Sequence, residues 1–281
     1  MAQIQWFPGH MAKARREITE KLKLVDIVLE ILDARVPISS RNPMMGEILK
    51  DKPTLVLLNK ANLADKKVTL EWIEYFKNNG IKALDIDLID NYNVNKIIPA
   101  CNEVLAKEIE AAKAKGYSNF KIRALVVGIP NVGKSTFINT LAKRKAAVTG
   151  DKPGVTKSQT WIKINNSLEL LDTPGILWPK FEDPHVGLNL AFCGSIKDEI
   201  LDVASLALEL IKVLQVEYPN ELMTRYKLDE LTEDALENME NISRKRGFIL
   251  PGKRIDYERC GKTLLDEFRG GVIGNITLEK A

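Results

Sequence analysis

Apolar runs and amphipathic stretches alternate along the first part of the chain. Compact apolar runs predict buried strands at residues 26–33, 54–60, 81–87, 121–127, 161–164 and 168–171. Apolar residues at helical spacing predict helices over about residues 10–24, 68–79, 94–115 and from 136 onward. Strands that alternate with helices favour a largely parallel sheet covered by helices on both faces.

Beyond residue 178 the pattern is helical only. Ser195 is predicted to cap a long helix, with Asp198 completing a capping box, and this helix ends at Tyr218. Two further helices, each followed by glycine, are predicted over residues 233–246 and 256–269. We therefore expect an α/β domain over residues 1–178 and a smaller all-α domain over residues 179–281.

Composition narrows the class of protein. Of 281 residues, 45% are hydrophobic and 28% are charged, which is typical of a soluble globular protein. The three cysteines are far apart and form no CxxC pair, which favours reduced thiols over a metal cluster. No apolar run suits a secretory core or a membrane span, so we expect a cytoplasmic protein without a membrane partner.

The net charge of +3 is too small to indicate a nucleic-acid partner, but its distribution is uneven. Basic residues cluster in the first predicted helix and near the C-terminus: Lys13, Arg15, Arg16, Lys21, Lys23, and Arg244, Lys245, Arg246, Lys253, Arg254, Arg259, Lys262. Such clusters are either solvated helix faces or contact surfaces for a phosphate backbone, and charge alone does not separate the two.

A phosphate-binding loop lies near the middle of the chain, between a predicted strand and a predicted helix. Two glycines separated by four residues are followed by Lys and Ser, and the residues expected to contact nucleotide are Gly128, Asn131, Val132, Gly133, Lys134, Ser135 and Thr136. Backbone N–H groups and the helix N-terminus attract phosphate at such a turn. Lys134 is expected to bridge the terminal phosphates and to act in catalysis, and the Ser135 hydroxyl to bind Mg²⁺.

Three further signals separate a GTPase from other proteins with such a loop. Asp172 ends a strand and, with Gly175, is placed to hold the Mg²⁺ shell and contact a terminal phosphate. Thr156 lies in the polar segment between the phosphate loop and Asp172, where its hydroxyl is expected to complete the magnesium site and to act in catalysis. The guanine-reading position after another strand holds Asn59, Lys60, Ala61 and Asn62. Together they predict a P-loop GTPase domain that binds GTP or GDP with Mg²⁺.

The chain resembles circularly permuted GTPases of the ribosome biogenesis GTPase A family, also known as YlqF-type proteins. The resemblance rests on the segments 6–11, 33–37 and 39–43 and on the order of motifs, because Asn59 precedes Gly128. It implies a cytoplasmic protein, a monomer in solution, that assists late assembly of the large ribosomal subunit. Such a protein contacts ribosomal RNA in its GTP form and leaves after hydrolysis; no DNA partner is expected.

Two positions depart from the pattern of that family. Asn62 stands where the family usually has Asp, and the supporting base loop has Asp87 and Leu88 in place of a small Ser-Ala pair. A carboxylate accepts from both the N1–H and the 2-amino group of guanine, whereas Asn offers one acceptor oxygen. Guanine discrimination is therefore expected to fall by about 1–3 kcal/mol.

The sequence does not identify the residue that positions the attacking water. Ile176 occupies the place where many GTPases have Gln, and its side chain forms no hydrogen bond. The resemblance assigns a catalytic role to His10, with helix capping or RNA contact as the alternative. Asn131 resembles the Asn that helps to hold K⁺ in potassium-activated GTPases, with a purely structural loop role as its alternative.

Two other functional classes fit parts of the sequence. One is a nucleotide-switched module whose target is a protein bound by the helical domain. The other is a small-molecule kinase or ATPase, which the relaxed base motif at Asn62 permits. Ribosome-particle binding, capture of a protein without RNA, and phosphoryl transfer to a metabolite would separate the three.

Overall fold

A computed structural model describes residues 16, 18–49, 52–117, 119–143, 161–171 and 183–281 of the chain. Six strands form its main sheet: β1 (Ile27–Asp33), β2 (Thr54–Asn59), β3 (Lys82–Asp85), β4 (Ile122–Val127), β5 (Trp161–Lys163) and β6 (Leu168–Leu171). Their spatial order is β3-β2-β1-β4-β6-β5, and every pairing is parallel except that of the edge strand β5. The predicted, largely parallel sheet is confirmed.

Helices flank this sheet and continue beyond it. They are α1 (described over residues 18–22), α2 (Pro43–Ile48), α3 (Lys66–Asn78), α4 (Ile97–Val104), α5 (Ala106–Ala114), α6 (Lys134–Ala142), α7 (Pro184–Phe192), α8 (Val203–Glu217), α9 (Pro219–Tyr226), α10 (Ala235–Arg246) and α11 (Tyr257–Arg269). A short antiparallel hairpin of β7 (Ile249–Leu250) and β8 (Arg254–Ile255) joins the last two helices. The expectation of helices alone in this region misses this hairpin.

The sheet is buried on both faces, which explains why β1 is apolar without alternation. All seven residues of β1 are buried, including Glu30 and Asp33. One face packs on Met45 and Leu49 around α2, and the other packs on Phe137 of α6. When both faces of a parallel sheet are covered, neither set of alternating side chains meets water, so the strand is a nearly continuous apolar run.

Two helix boundaries differ from the prediction. The helix expected over 94–115 is interrupted at Leu105, whose φ of −97° and ψ of 18° are not helical. The expected cap at Ser195 is wrong: α8 begins at Val203, because the Asp202 carboxylate accepts from the Ser205 N–H at 3.1 Å. Asp198 forms an ion pair with Arg269 at 2.6 Å instead of completing a capping box.

The C-terminal residues return to the sheet. The Ile276 N–H donates to the Leu63 carbonyl at 3.0 Å, and the Leu278 N–H donates to the Arg35 carbonyl at 2.8 Å. The Thr277 hydroxyl oxygen accepts from the backbone N–H at position 65, also at 3.0 Å. The end of the chain therefore packs beside the loop that follows β2. The predicted domain boundary at residue 178 lies outside the described residues.

Within the described ranges, no helix has the length and apolar character that crossing a bilayer requires.

Candidate nucleotide-binding site

Four loops meet at the carboxyl edge of the parallel strands. They follow β1, β2, β3 and β4, and they contain all the predicted base-reading residues and the phosphate loop. Open α/β sheets bind ligands at this edge, where strand order reverses direction from one half of the sheet to the other. The carboxyl edge is therefore the candidate nucleotide site.

Both glycines of the phosphate loop are required by the backbone. Gly128 has φ of 153°, and a Cβ there would lie 2.6 Å from the Ile31 carbonyl oxygen. Gly133 has φ of 105°, and a Cβ there would lie 2.5 Å from Asn59 Nδ2. Side chains at these positions would be strained and would also strike the neighbouring strand ends. The loop is therefore pressed closely against β1 and β2.

The helix α6 begins directly after this loop, so its N-terminus points at the same edge. Lys134 is 8% exposed, and its ammonium group donates to the Ile129 carbonyl at 2.6 Å. Ser135 and Thr136 lie in the first turn of α6 and are half-buried. The cation, the hydroxyl and the helix N-terminus are the groups that bind nucleotide phosphate and its Mg²⁺.

Asn59 joins the base-reading loop to the phosphate loop. Its Nδ2 donates to the Val132 carbonyl at 2.7 Å. Its Oδ1 is buried and has no hydrogen-bond partner among the described residues. A buried acceptor without a donor is costly, so a ligand that donates a hydrogen bond here would be stabilised.

Lys60 is held by the strand beside it. It adopts φ of 63°, in the left-handed region, and its ammonium group lies 2.8 Å from Asp33 Oδ2. Asp33 also pairs with Arg35 at 2.9 Å, and Asp33 and Arg35 are each 1% exposed. Burial alone would raise the pKa of the Asp33 carboxyl, but the two cations outweigh burial and hold that pKa well below its usual range. Asp33 is thus ionised and fixes the start of the base-reading loop.

The loops after β2 and β3 contact each other directly. The Ala61 N–H donates to the Ile86 carbonyl at 3.1 Å, and Asn62 Nδ2 lies 3.1 Å from Asp90 Oδ2. Asp87 is buried, and its carboxylate accepts from two N–H groups of its own loop. Leu88 is buried beside Gly133, on the side of the phosphate loop. Leu88 therefore supplies apolar packing in place of the small residue of the family pattern.

Asn131 connects the phosphate loop to the helical part of the chain. It has φ of 62° and is exposed, and its Nδ2 donates to the Gly194 carbonyl at 2.9 Å. Gly194 is the second residue after the end of α7. The amide nitrogen of Asn131 thus has a structural contact, and its carbonyl oxygen is the atom that would serve a cation.

Several predicted residues lie outside the described residues: His10, Thr156, Asp172 and Gly175. Of the predicted magnesium ligands, only Ser135 is described. No group of three or more His, Cys, Asp or Glu side chains suited to a metal ion occurs in the described part of the chain. A hydroxyl at the first turn of α6 is compatible with Mg²⁺, which prefers oxygen ligands.

The two arginines after β1 are engaged by neighbouring side chains. Arg35 is buried against Asp33 and lies 5.3 Å from the centre of the Phe268 ring. Arg41 bonds to the buried Glu30 carboxylate at 3.2 Å. These contacts assign both arginines to the packing of the strand ends.

Sequence reasoning did not identify two acidic residues that organise the site. Asp33 falls in the segment 33–37 without an assigned role, and Asp90 falls in no motif. The apolar run of β1 ending in an acid is the signal for Asp33, since such an acid lies at the sheet edge. No local signal identifies Asp90, because its partner Asn62 lies 28 residues earlier in the chain.

Comparison with protein families agrees with this arrangement. A family model described as a 50S ribosome-binding GTPase matches residues 123–249. The match begins on β4, which leads into the phosphate loop, and leaves β1 and β2 upstream. The base-reading strand thus precedes the part of the chain that the family model covers.

Relatives and solved structures match over nearly the full length. A ribosome biogenesis GTPase A of Bacillus cereus is 51% identical over 276 residues, which are 98% of this chain and 93% of the relative. A mitochondrial ribosome-associated GTPase 1 of Bos taurus is 31% identical over 296 residues, with 98% of this chain and 88% of the relative covered. A GNP-bound YlqF structure from T. maritima has 29% identity and a TM-score of 0.63, covering 95% of this chain and 98% of that one.

Proposed function

The chain belongs to the ribosome biogenesis GTPase A family and hydrolyses GTP, and we propose that it assists late assembly of the large ribosomal subunit. In this proposal the GTP form binds ribosomal RNA on the assembling particle, and hydrolysis releases the protein. Near-complete coverage of ribosome biogenesis GTPases carries this conclusion, because it extends to the helical region as well as to the sheet.

A basic surface on the helical region supports contact with RNA. The hairpin of β7 and β8 and the start of α11 expose Lys253, Arg254 and Arg259, and the Arg259 guanidinium lies over the Phe248 ring. Ile249 and Leu250 are exposed on the same hairpin. Exposed cations grouped on one hairpin and the adjoining helix suit contact with a phosphate backbone.

A packed connection from the phosphate loop to the helical region supports release on hydrolysis. Asn131 of the loop bonds to Gly194, and the Arg269 guanidinium of α11 donates to the carbonyls of Ala191 and Phe192 at the end of α7. A change in the phosphate loop would therefore displace the end of α7 and, through it, α11. Nucleotide switches act through such two-state packed elements.

Sedimentation with large ribosomal subunits tests this proposal. We expect the full chain to sediment with the particles in the presence of a nonhydrolysable GTP analogue and to remain in the supernatant with GDP. Substitution of Lys253→Glu and Arg254→Glu together should weaken binding and reduce its salt dependence. Lys107→Glu combined with Lys113→Glu, both on the exposed surface of α5, changes the net charge by the same amount and is the matched control. Equal sedimentation of the two variants, or binding independent of nucleotide, would contradict the proposal.

The proposed ions and catalytic group complete the site. Mg²⁺ would be held by Ser135, Thr156 and Asp172, and K⁺ by Asn131, while His10 would position or deprotonate the attacking water. Asn131→Ala should abolish any excess of GTP hydrolysis in K⁺ over Na⁺, as measured by phosphate release. His10→Ala should lower ribosome-stimulated turnover while leaving GDP affinity unchanged. Equal rates in the two salts, or unchanged turnover in the His10 variant, would remove the corresponding role.

A further inference from the structure

The last residue of the base-reading motif has a partner on the neighbouring loop. Asn62 Nδ2 lies 3.1 Å from Asp90 Oδ2. A carboxylate only accepts hydrogen bonds, so the amide nitrogen of Asn62 must face Asp90 and the amide oxygen must face away from it. The orientation of the Asn62 amide is thus set by Asp90.

Asp90 is itself fixed by its loop. The buried Asp87 carboxylate accepts from the N–H groups of Ile89 and Asp90, each at 2.8 Å. The Asp87 N–H donates to the Tyr92 carbonyl at 3.1 Å, which closes the loop. The backbone bond from Ala61 to the end of β3 aligns this loop with the base-reading motif. The Asn62–Asp90 contact is therefore formed by two loops that are already in register.

We propose that Asp90 is a positioning residue for base selectivity. By holding the Nδ2 of Asn62, it presents Oδ1, an acceptor, to the base. A purine with a donor at N1 and an amino group at C2, such as guanine, is favoured over xanthine, whose C2 carbonyl requires a donor from the protein. The chain thus retains guanine selectivity with Asn at a position where its amide could otherwise turn. The inference rests on nucleotide binding at this edge and not on any ribosomal role.

Equilibrium binding of fluorescent GDP and XDP to the full chain tests this inference. The unsubstituted protein should bind GDP more tightly than XDP. Asp90→Asn puts an amide opposite Asn62, which then pairs in either orientation, so the preference for GDP over XDP should fall about tenfold or more. Glu110→Gln removes an equal charge from the exposed surface of α5 and should leave the ratio unchanged.

Exchange of the two side chains provides a rescue. Asn62→Asp combined with Asp90→Asn restores one carboxylate opposite one amide, with the carboxylate now at the base, and the preference for GDP should recover. Asn62→Asp alone places two carboxylates opposite each other and should bind GDP less tightly than the exchanged pair. Melting temperatures of all variants identify any loss of folding.

Three results would overturn the inference. The first is an Asp90→Asn protein whose ratio of GDP affinity to XDP affinity equals that of the Glu110→Gln protein. The second is an Asp90→Asn protein that loses both nucleotides to the same degree. The third is an unsubstituted protein that prefers XDP, since its Asn62 amide nitrogen would then face the base. Failure to bind ribosomal particles would leave all these ratios unaffected and would count only against the proposed assembly role.

Discussion

The base-reading side and the phosphate side of the nucleotide site are built in different ways. On the base side, Lys60, Asn62 and Asp87 have protein partners, and among the described residues Asn59 Oδ1 is the buried acceptor that lacks one. The C-terminal residues pack against the same loop. On the phosphate side, the Lys134 ammonium contacts a carbonyl of its own loop, Ile129. A carbonyl is a weaker partner for a cation than a phosphate is. We infer that the base side is preformed and that the phosphate side is completed by its ligand.

Breaking the buried ion pairs should have the largest effect, and on the base side alone. Asp33→Asn leaves the buried Arg35 guanidinium without its counter-charge, which should lower the free energy of unfolding by about 3–5 kcal/mol at neutral pH. Denaturant unfolding of the nucleotide-free protein measures this loss. Asp266→Asn, exposed on α11, is the control and should change stability little.

The same variant has a defined pH dependence. Because the pKa of Asp33 is lowered in the folded state, its contribution to stability is present above the ordinary carboxyl pKa and is lost as pH falls below about 4. The stability difference between the unsubstituted protein and Asp33→Asn should therefore shrink as the pH is lowered through that range. A difference that stays constant to pH 3 would contradict the assignment of Asp33 as the ionised partner.

Removing Lys134 should weaken nucleotide binding without destabilising the nucleotide-free protein. Lys134→Ala should weaken GTP and GDP binding about a hundredfold, because charge-assisted bonds to phosphate are lost. The nucleotide-free protein should change little in melting temperature, because the bond from Lys134 to the Ile129 carbonyl lies within its own loop. Calorimetric titration and thermal melting measure the two effects, with Lys107→Ala as control. A large loss of stability without nucleotide would show that the phosphate side is preformed as well.

A methyl group at Gly133, where the phosphate loop contacts Asn59, should disturb both the base side and the phosphate side of the site. Gly133→Ala adds a Cβ 2.5 Å from Asn59 Nδ2 and strains a backbone with φ of 105°, at a cost of about 1–3 kcal/mol. Stability and GDP affinity should fall together. Gly46→Ala, in α2 with nothing within 4 Å of the new Cβ, should leave both unchanged or raise stability slightly. A Gly133 variant with altered affinity but normal stability would separate the two sides.

Loosening the C-terminal residues should have the smallest effect on nucleotide binding. Thr277→Val keeps the shape of the side chain but leaves the Asp65 N–H without its acceptor, which should cost about 1–3 kcal/mol of stability. GDP affinity should fall only slightly, because Asp65 lies beyond Asn62. Thr263→Val, whose hydroxyl bonds within α11, is the matched control for denaturant unfolding. Equal stability of the two variants would show that the C-terminal residues do not support the base side.

The predicted parts of the fold share one property: their signals are local. The apolar runs of β1, β2 and β4 identified the strands, and the spacing of Gly128 and Gly133 before Lys134 identified the phosphate loop. The helices that the sequence did not predict lack such signals. Helices α2, α7 and α9 have only six to nine residues each, too few to show a clear helical period. The cap of α8 was placed at Ser195 because Ser and Asp at that spacing suit a capping box in the absence of tertiary contacts.

By itself, the sequence determined the family, the parallel sheet and the residues that lie along its carboxyl edge. These follow from side chains close together in the chain, where backbone geometry and burial act directly. Only the tertiary structure decided what holds those residues: Asp90 on Asn62, Gly194 on Asn131, and Thr277 beside the base-reading loop. Such partners come from segments 28 to 212 residues away. Their pairing depends on how the sheet and helices pack, and a polar side chain carries no local mark of the distant group that it will meet.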